Sequence, residues 1–230
     1  MSGDSRKEIL RRIKTGLRGP SNTIEEKETI FPPPTDGKWI QQRITEVRER
    51  LEEKKWDLIN RFIDEITKAG GRVMVGRGED EIRGFITRLI EEYNAKLLAM
   101  WESDLLIGLR NLILDKSLQL ASPINKDEMA RADIGITGTD FAIAETGTIV
   151  LITNETQPRS ISLIPPIHIA VMRSNVVVEN LDELFFLVKN RSEPTSCMTF
   201  ITGPSRTADI ELNLTLGVHG PKELIVLIYP

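Results

Sequence analysis

The chain has 230 residues, of which 40% are hydrophobic, 5% aromatic and 28% charged, enough to bury a real core in one domain with extensions or in two small ones. Its 30 Lys+Arg against 34 Asp+Glu leave a net charge of −4, which argues against a protein that tracks phosphate backbones, so nucleic acid is not an expected partner. One cysteine, Cys197, excludes an internal disulfide and cannot alone hold an iron–sulfur cluster or a Cys-rich zinc site, and two histidines, His168 and His219, leave little for a His-based metal site.

The amino terminus, Met1-Ser2-Gly3-Asp4, is polar and runs into charges, so no secretory apolar stretch is expected there. Residues 1–37 read as an extension. Over 4–18, Ile9, Ile13 and Leu17 recur at helical spacing behind Asp4 or Ser5 as cap, and Gly19-Pro20 ends the run. Arg6, Lys7, Arg11, Arg12, Lys14 and Arg18 make this a basic amphipathic helix, suited to gripping a partner or to docking on its own fold or a sister subunit. Residues 19–37 form a linker in which Pro32-Pro33-Pro34 favours extended polyproline.

Residues 38–230 read as an α/β domain. A long helix over 38–69 carries Ile40, Ile44, Val47, Leu51, Leu58, Phe62 and Ile66 on one face, with Glu46/Arg50, Asp57/Arg61 and Asp64/Lys68 as i,i+4 pairs and Gly70-Gly71 as its stop. Strands are then predicted over 72–75, 96–101, 133–137, 148–153, 167–172, 197–202 and 224–229, and helices over 80–93, 127–131 and 180–190. Nearly continuous apolar strands such as Ile149-Val150-Leu151-Ile152 predict burial on both faces and a mostly parallel sheet, with the site beyond the strands' carboxyl ends. The longest apolar runs, such as Leu224–Tyr229, fall far short of the roughly 20 residues of a bilayer span, so a soluble, cytoplasmic chain is expected.

Two features read as structure rather than chemistry. Gly76-Arg77-Gly78 lies between a strand and a helix, but Glu81 stands at the third glycine position of a dinucleotide fingerprint. Cys197 opens an apolar strand and reads as an inert core thiol.

Three loop clusters carry the chemistry. In the first, residues 132–151, a strand runs into a Gly/Thr turn, a short small-residue helix and Glu145 at the entry to the next strand. Gly138 and Gly147 allow close approach of a ligand, and Thr137, Thr139, Thr146 and Thr148 offer hydroxyls. Asp140 and Glu145 could flank one crevice; Glu145 reads equally as nucleophile or base and as a structural acceptor. The second, Gly203–Glu211, offers Ser205 as cap of a helical turn whose N–H groups would join Arg206 in holding an anion, with a surface Arg206–Asp209 pair as the bland reading. The third, Gly217-Val218-His219-Gly220-Pro221, sets an imidazole in a glycine-flanked turn, with Gly220 beside it. Arg159 is a further anion candidate, whereas His168, between Ile167 and Ile169, reads as a partly buried, satisfied histidine.

With these residues in place, 132–151 resembles the central signature of the LUD-domain proteins, and Gly203–Ile210 with Leu216–Pro221 resembles the family's C-terminal signature. The match runs over about 40–230 and is most similar to the LutC/YkgG branch, the lactate utilization protein C type. The resemblance implies a three-layer α/β fold like the ribose-5-phosphate isomerase, glucosamine-phosphate deaminase and coenzyme A transferase superfamily. It implies an accessory role in oxidising L-lactate to pyruvate in bacterial cytoplasm. No cofactor is then expected in this chain, and the iron–sulfur clusters are expected on partner subunits. In the transferase relatives a catalytic glutamate lies in a comparable turn, which makes Glu145 the candidate nucleophile or base and His219 a candidate proton acceptor, with Arg206 or Arg159 as carboxylate clamp for a small anionic ligand. A stand-alone transferase- or isomerase-like enzyme acting through Glu145 on a phosphorylated or thioester substrate, and a regulatory module that binds a small anion, remain as alternatives. Whether the chain forms a homo-oligomer is open.

Overall fold

The computed structural model describes residues 37–102, 106, 108–109, 118–191, 197–208, 214–216 and 220–230. The expected basic helix over 4–18 and its linker, together with Asp209 and His219, lie outside the described residues. The chain divides into two compact units, Met1–Arg43 and Ile44–Pro230; only Gly37–Arg43 of the first is described, and every strand among the described residues belongs to the second.

Helices α1 (Gly37–Glu53) and α2 (Lys55–Lys68) replace the single long helix expected over 38–69, because Lys54 leaves helical geometry at φ −93°, ψ 6°. Two of the expected i,i+4 pairs give way to other partners. Arg50 reaches across to the buried Glu183, and Lys68 bonds Glu65 at 2.7 Å. Next come β1 (Arg72–Val75), α3 (Glu79–Glu92), β2 (Leu97–Met100), β3 (Gln119–Leu120), α4 (Lys126–Arg131) and β4 (Ile134–Thr137). They are followed by β5 (Phe141–Ile143), β6 (Thr148–Thr153), α5 (Ser160–Leu163), β7 (Ile167–Arg173) and β8 (Val177–Val178). The chain closes with α6 (Leu181–Lys189), β9 (Cys197–Ile201), β10 (Arg206–Ala208), β11 (Leu214–Leu216) and β12 (Glu223–Tyr229).

Six strands in the order β1-β12-β7-β4-β2-β3 form a wholly parallel sheet. The strand Thr148–Thr153 is buried at every position, as its apolar run predicts, yet it lies in a second sheet. That sheet has the order β8-β5-β6-β9, with β6 antiparallel to both neighbours. Strands β10 and β11 make a separate antiparallel pair.

The second sheet lies on one face of the parallel sheet. Ala142, Ala144, Ile149 and Leu151 join the main core, to which that face of the parallel sheet contributes Ala170, Met172 and Val226. The alternate residues Ile143 and Val150 turn outward to Val178 and Leu184, closing a smaller core under α6. Helices α2 and α5 share that face, while α3 packs against the other with Ile82, Phe85, Ile86 and Leu89. The result is a three-layer α/β arrangement with a mainly parallel centre. No helix among the described residues is long and apolar enough to cross a membrane.

Close packing of α5 on β4 depends on Gly135, where a Cβ would overlap the Ile161 carbonyl oxygen and stand 3.1 Å from its carbon. Gly135→Ala should lower the unfolding free energy by about 3 kcal/mol, because backbone on both sides resists the shift. Gly84, in the middle of α3 with nothing near a would-be Cβ, supplies the control: Gly84→Ala should raise stability by about 0.5–1 kcal/mol. Urea titrations of the two variants check both signs.

Candidate functional site

Three loops distant in sequence meet at the amino end of the parallel sheet, around the carboxyl terminus of α2. The first is the tight β5–β6 turn, Ala144–Gly147, anchored by Ala144 N–H to the Val178 carbonyl (2.8 Å) and Glu145 N–H to the Glu179 carbonyl (3.1 Å). Gly147 sits at φ +62° directly against the α2 backbone, its would-be Cβ 2.6 Å from the Glu65 carbonyl carbon. A side chain there would be strained and would push the turn off the helix.

The second loop follows β9. Thr202 Oγ1 lies 2.8 Å from Thr148 Oγ1, which lies 2.7 Å from Thr146 Oγ1, so three hydroxyls form a row across the two loops. Gly203, at φ +142°, passes the Ala69 carbonyl at the end of α2. The Arg206 guanidinium lies over Gly70, where only the missing side chain makes room, and a cation at a helix carboxyl terminus is electrostatically favoured. The third loop precedes β12. Pro221 accepts the Ser205 N–H at 2.8 Å, and a Cβ on Gly220 would meet the Ser205 Cβ at 3.2 Å.

Seven expected site residues therefore gather at this end: Glu145, Thr146, Gly147, Thr148, Ser205, Arg206 and Gly220. Glu145, Thr146, Thr202 and Arg206 are exposed. A row of hydroxyls, an accessible carboxylate and a guanidinium can together bind a small polar acid and move one proton. Two local expectations are corrected. The segment before Glu145 is strand β5, not a short helix, because Ala142 pairs with both Ile149 and Val177. Ser205 caps no helical turn either: the residues after it, Arg206–Ala208, form a strand paired with Leu214–Leu216.

Thr137, Gly138, Asp140 and Arg159 lie instead toward the carboxyl end of the sheet. Strand β6 joins the two ends, and its six residues span roughly 17 Å. Asp140 is fully engaged in architecture: its Oδ2 accepts the Ile152 N–H at 2.7 Å and its Oδ1 lies 3.4 Å from Arg191 Nη1. Arg159 is exposed beside Pro158, whose carbonyl accepts the Trp101 indole N–H at 3.1 Å. In the Gly76-Arg77-Gly78 turn, Gly76 N–H goes to the Ile228 carbonyl and Arg77 N–H to the Glu81 carboxylate.

Sequence reading passed over Thr202, which shows only as a hydroxyl ending an apolar strand before Gly-Pro. It also passed over the buried Glu183, which accepts the Glu179 N–H (2.9 Å) and pairs with Arg50. The pattern Asn180-x-x-Glu183 was the available signal, a capping box in which Asn180 accepts the Glu183 N–H.

His168 is completely buried rather than partly, its Nε2 2.8 Å from the Thr137 hydroxyl and its Nδ1 without a partner among the described residues. Burial pushes its pKa down to about 3. The unfolded chain takes up a proton below about pH 6.5 that the folded chain refuses, so this group costs stability as pH falls from about 6.5 toward 3, by about 1.4 kcal/mol per pH unit. Above pH 6.5 its contribution is flat. His168→Gln keeps a nitrogen for Thr137 but does not titrate, so its stability should fall less steeply than wild type between pH 6.5 and 4.5. Denaturant melts across that range read the difference in slope.

A family model for the LUD domain matches residues 59–229. Lactate utilization protein C of Anoxybacillus flavithermus is 42% identical over 97 residues, covering 42% of this chain and 44% of its own length. The protein of that name from Halalkalibacterium halodurans is 33% identical over 152 residues, 62% of this chain and 66% of its own length. The one from Bacillus velezensis is 31% identical over 168 residues, 71% of this chain and 61% of its own length. The chain thus spans less than two thirds of each of these relatives. Among solved structures, a DUF162 family protein from Deinococcus radiodurans superposes with a TM-score of 0.55 at 24% identity, over 76% of this chain and 98% of its own, which establishes the shared fold.

Proposed function

The chain belongs to the LUD-domain family, and from that premise we propose that it acts in lactate utilization, as an accessory subunit in the oxidation of L-lactate to pyruvate beside iron–sulfur partners. The observation that carries the reading is the run of relatives named lactate utilization protein C, at 31–42% identity. The amino-end loop cluster supplies a surface suited to the chemistry. Arg206 would pair with the lactate carboxylate, the Thr146–Thr148–Thr202 row would hold the hydroxyl, and Glu145 would accept its proton; His219, the other candidate acceptor, lies outside the described residues.

The oxidation also breaks the Cα–H bond, releasing a second proton to solvent and two electrons to the redox partner, and this chain's donor set does not fit an iron–sulfur cluster. Cys197 is its one cysteine and is half-buried in a strand, whereas such clusters take four thiolates. The clusters therefore belong on partner subunits, and no step of the proton chemistry runs through them. Arg159, at the other end of β6, stands apart from this arrangement.

Purified alone, the chain should not oxidise L-lactate; reconstituted with its iron–sulfur partners, it should be required for turnover. Within that complex, Glu145→Gln and Arg206→Gln should each lower kcat/KM for lactate by about a hundredfold with the complex intact by gel filtration. Undiminished turnover in both variants would remove the loop cluster from the reaction. The exposure of Glu145 supports a second reading, a free-standing acyl-transferring enzyme. Its signature would be a covalent acyl adduct on incubation with acyl-CoA, detected by intact-protein mass and lost in Glu145→Gln.

A further inference from the structure

Helix α6 lies on the outer face of the second sheet, over β5 and β8. Leu184 and Phe186 are buried, and the buried Glu183 is tied to Arg50 and to the Glu179 N–H. An amphipathic helix of this kind ordinarily turns polar residues outward. Here the outward face carries Leu181 and Phe185, 43% and 48% exposed and one turn apart. Phe200, 41% exposed on β9 at the rim of the second sheet, sets its ring 6.4 Å from that of Phe185. These side chains form one solvent-facing apolar patch, flanked on α6 by the exposed Asp182 and Lys189. Neither charge makes an ion pair among the described residues.

Helical geometry sorts these residues around Phe185. At about 100° per residue, Asp182 and Lys189 lie about 60° and 40° to one side of it, and Leu181 and Val188 about 40° and 60° to the other. Asp182 and Leu181 stand toward the amino end of α6, and Lys189 and Val188 toward its carboxyl end. The face is therefore complementary to itself when turned end for end. A two-fold axis perpendicular to the helix and level with Phe185 brings each Asp182 to the partner's Lys189 on the charged flank. On the apolar flank the same axis brings each Leu181 to the partner's Val188, with the two Phe185 rings at the centre. A parallel pairing would set the charged flank against the apolar one and match neither.

We infer that this face is the interface of a homodimer, in which a second copy of the chain docks its own α6 antiparallel on the first. Two crossed Asp182–Lys189 ion pairs fix the direction, and Phe185, Leu181 and Phe200 supply the apolar contact. One short helix and one strand residue from each copy make a small interface, so the dimer should dissociate at about 1–100 µM. No group of the amino-end cluster takes part, and the inference stands whether or not the chain serves lactate oxidation.

Sedimentation equilibrium of the full chain between about 1 and 300 µM should show a reversible monomer–dimer equilibrium. Phe185→Ser, at a half-exposed position, should weaken it by about tenfold or more. Asp182→Lys and Lys189→Glu should each weaken self-association by about tenfold or more, because like charges then meet twice across the axis. Mixed in equal amounts, these two variants should pair with each other about as tightly as wild type pairs with itself, since the bases of one now meet the acids of the other. A role for either charge within its own chain would give no such rescue. A chain monomeric at about 300 µM would overturn the inference, including one in which Phe185→Ser weakens capture of the iron–sulfur partners instead. A dimer indifferent to Phe185→Ser, or single variants that do not recover on mixing, would overturn it too.

Discussion

The architecture turns on one carboxylate. At Asp140 the chain leaves β4 and doubles back instead of continuing away from the sheet. The carboxylate takes the Ile152 N–H and an Arg191 amino group, while the Asp140 N–H goes to the Val150 carbonyl at 3.1 Å. One residue thereby ties the start of β5, the end of β6 and the segment after α6. Hydrogen bonds to a charged acceptor contribute about 1.5–3 kcal/mol, more than an ordinary turn can supply. Because the chain reverses here, β5 and β6 lie flat on the parallel sheet and their connecting turn comes down at its amino end.

That reversal decides where the polar loops can go. Open parallel sheets usually gather ligands at their carboxyl ends, since each βα loop begins there. Here the loops richest in hydroxyls and charge belong to the second sheet and to the approach to β12, so they collect at the opposite end. Gly147 and Gly203 press both against the last turn of α2, which acts as the common floor. The carboxyl end under α3 is instead filled by apolar packing, with Ile82, Ile86 and Val171 all buried. The two ends are one strand length apart and share no side chain.

Much of this was readable in the residues. The apolar run Ile149–Ile152 announced a strand buried on both faces, and it is one. What it could not announce is the sheet that strand joins, because strand order follows from long-range pairing rather than local pattern. The same limit explains the two local errors. Small residues before Glu145 have helical propensity, but pairing of Ala142 with Ile149 and Val177 overrides it. Ser205 has the composition of a cap, but the residues after it pair with Leu214–Leu216. Of the candidate site, the glycines, hydroxyls, Glu145 and Arg206 were legible as a chemistry-bearing set. Their split between two ends was not, since nothing local states that β6 runs the full depth of the sheet. Thr202 escaped because a hydroxyl closing an apolar strand looks like any strand end.

The strand order β1-β12-β7 also sets a timetable. Among the described residues β1 pairs with β12 alone, and β12 fills the gap between β1 and β7, so the first strand of the sheet waits for the last. Closing so long a stretch of chain is entropically slow, and parallel pairing rewards it only at the end. On the ribosome, β1 and β7 would emerge with open edges facing each other across an empty slot, the state most prone to mispairing with neighbouring chains. Arrival of β12 seals both edges at once, so closure of the sheet on its two sides is a single cooperative event.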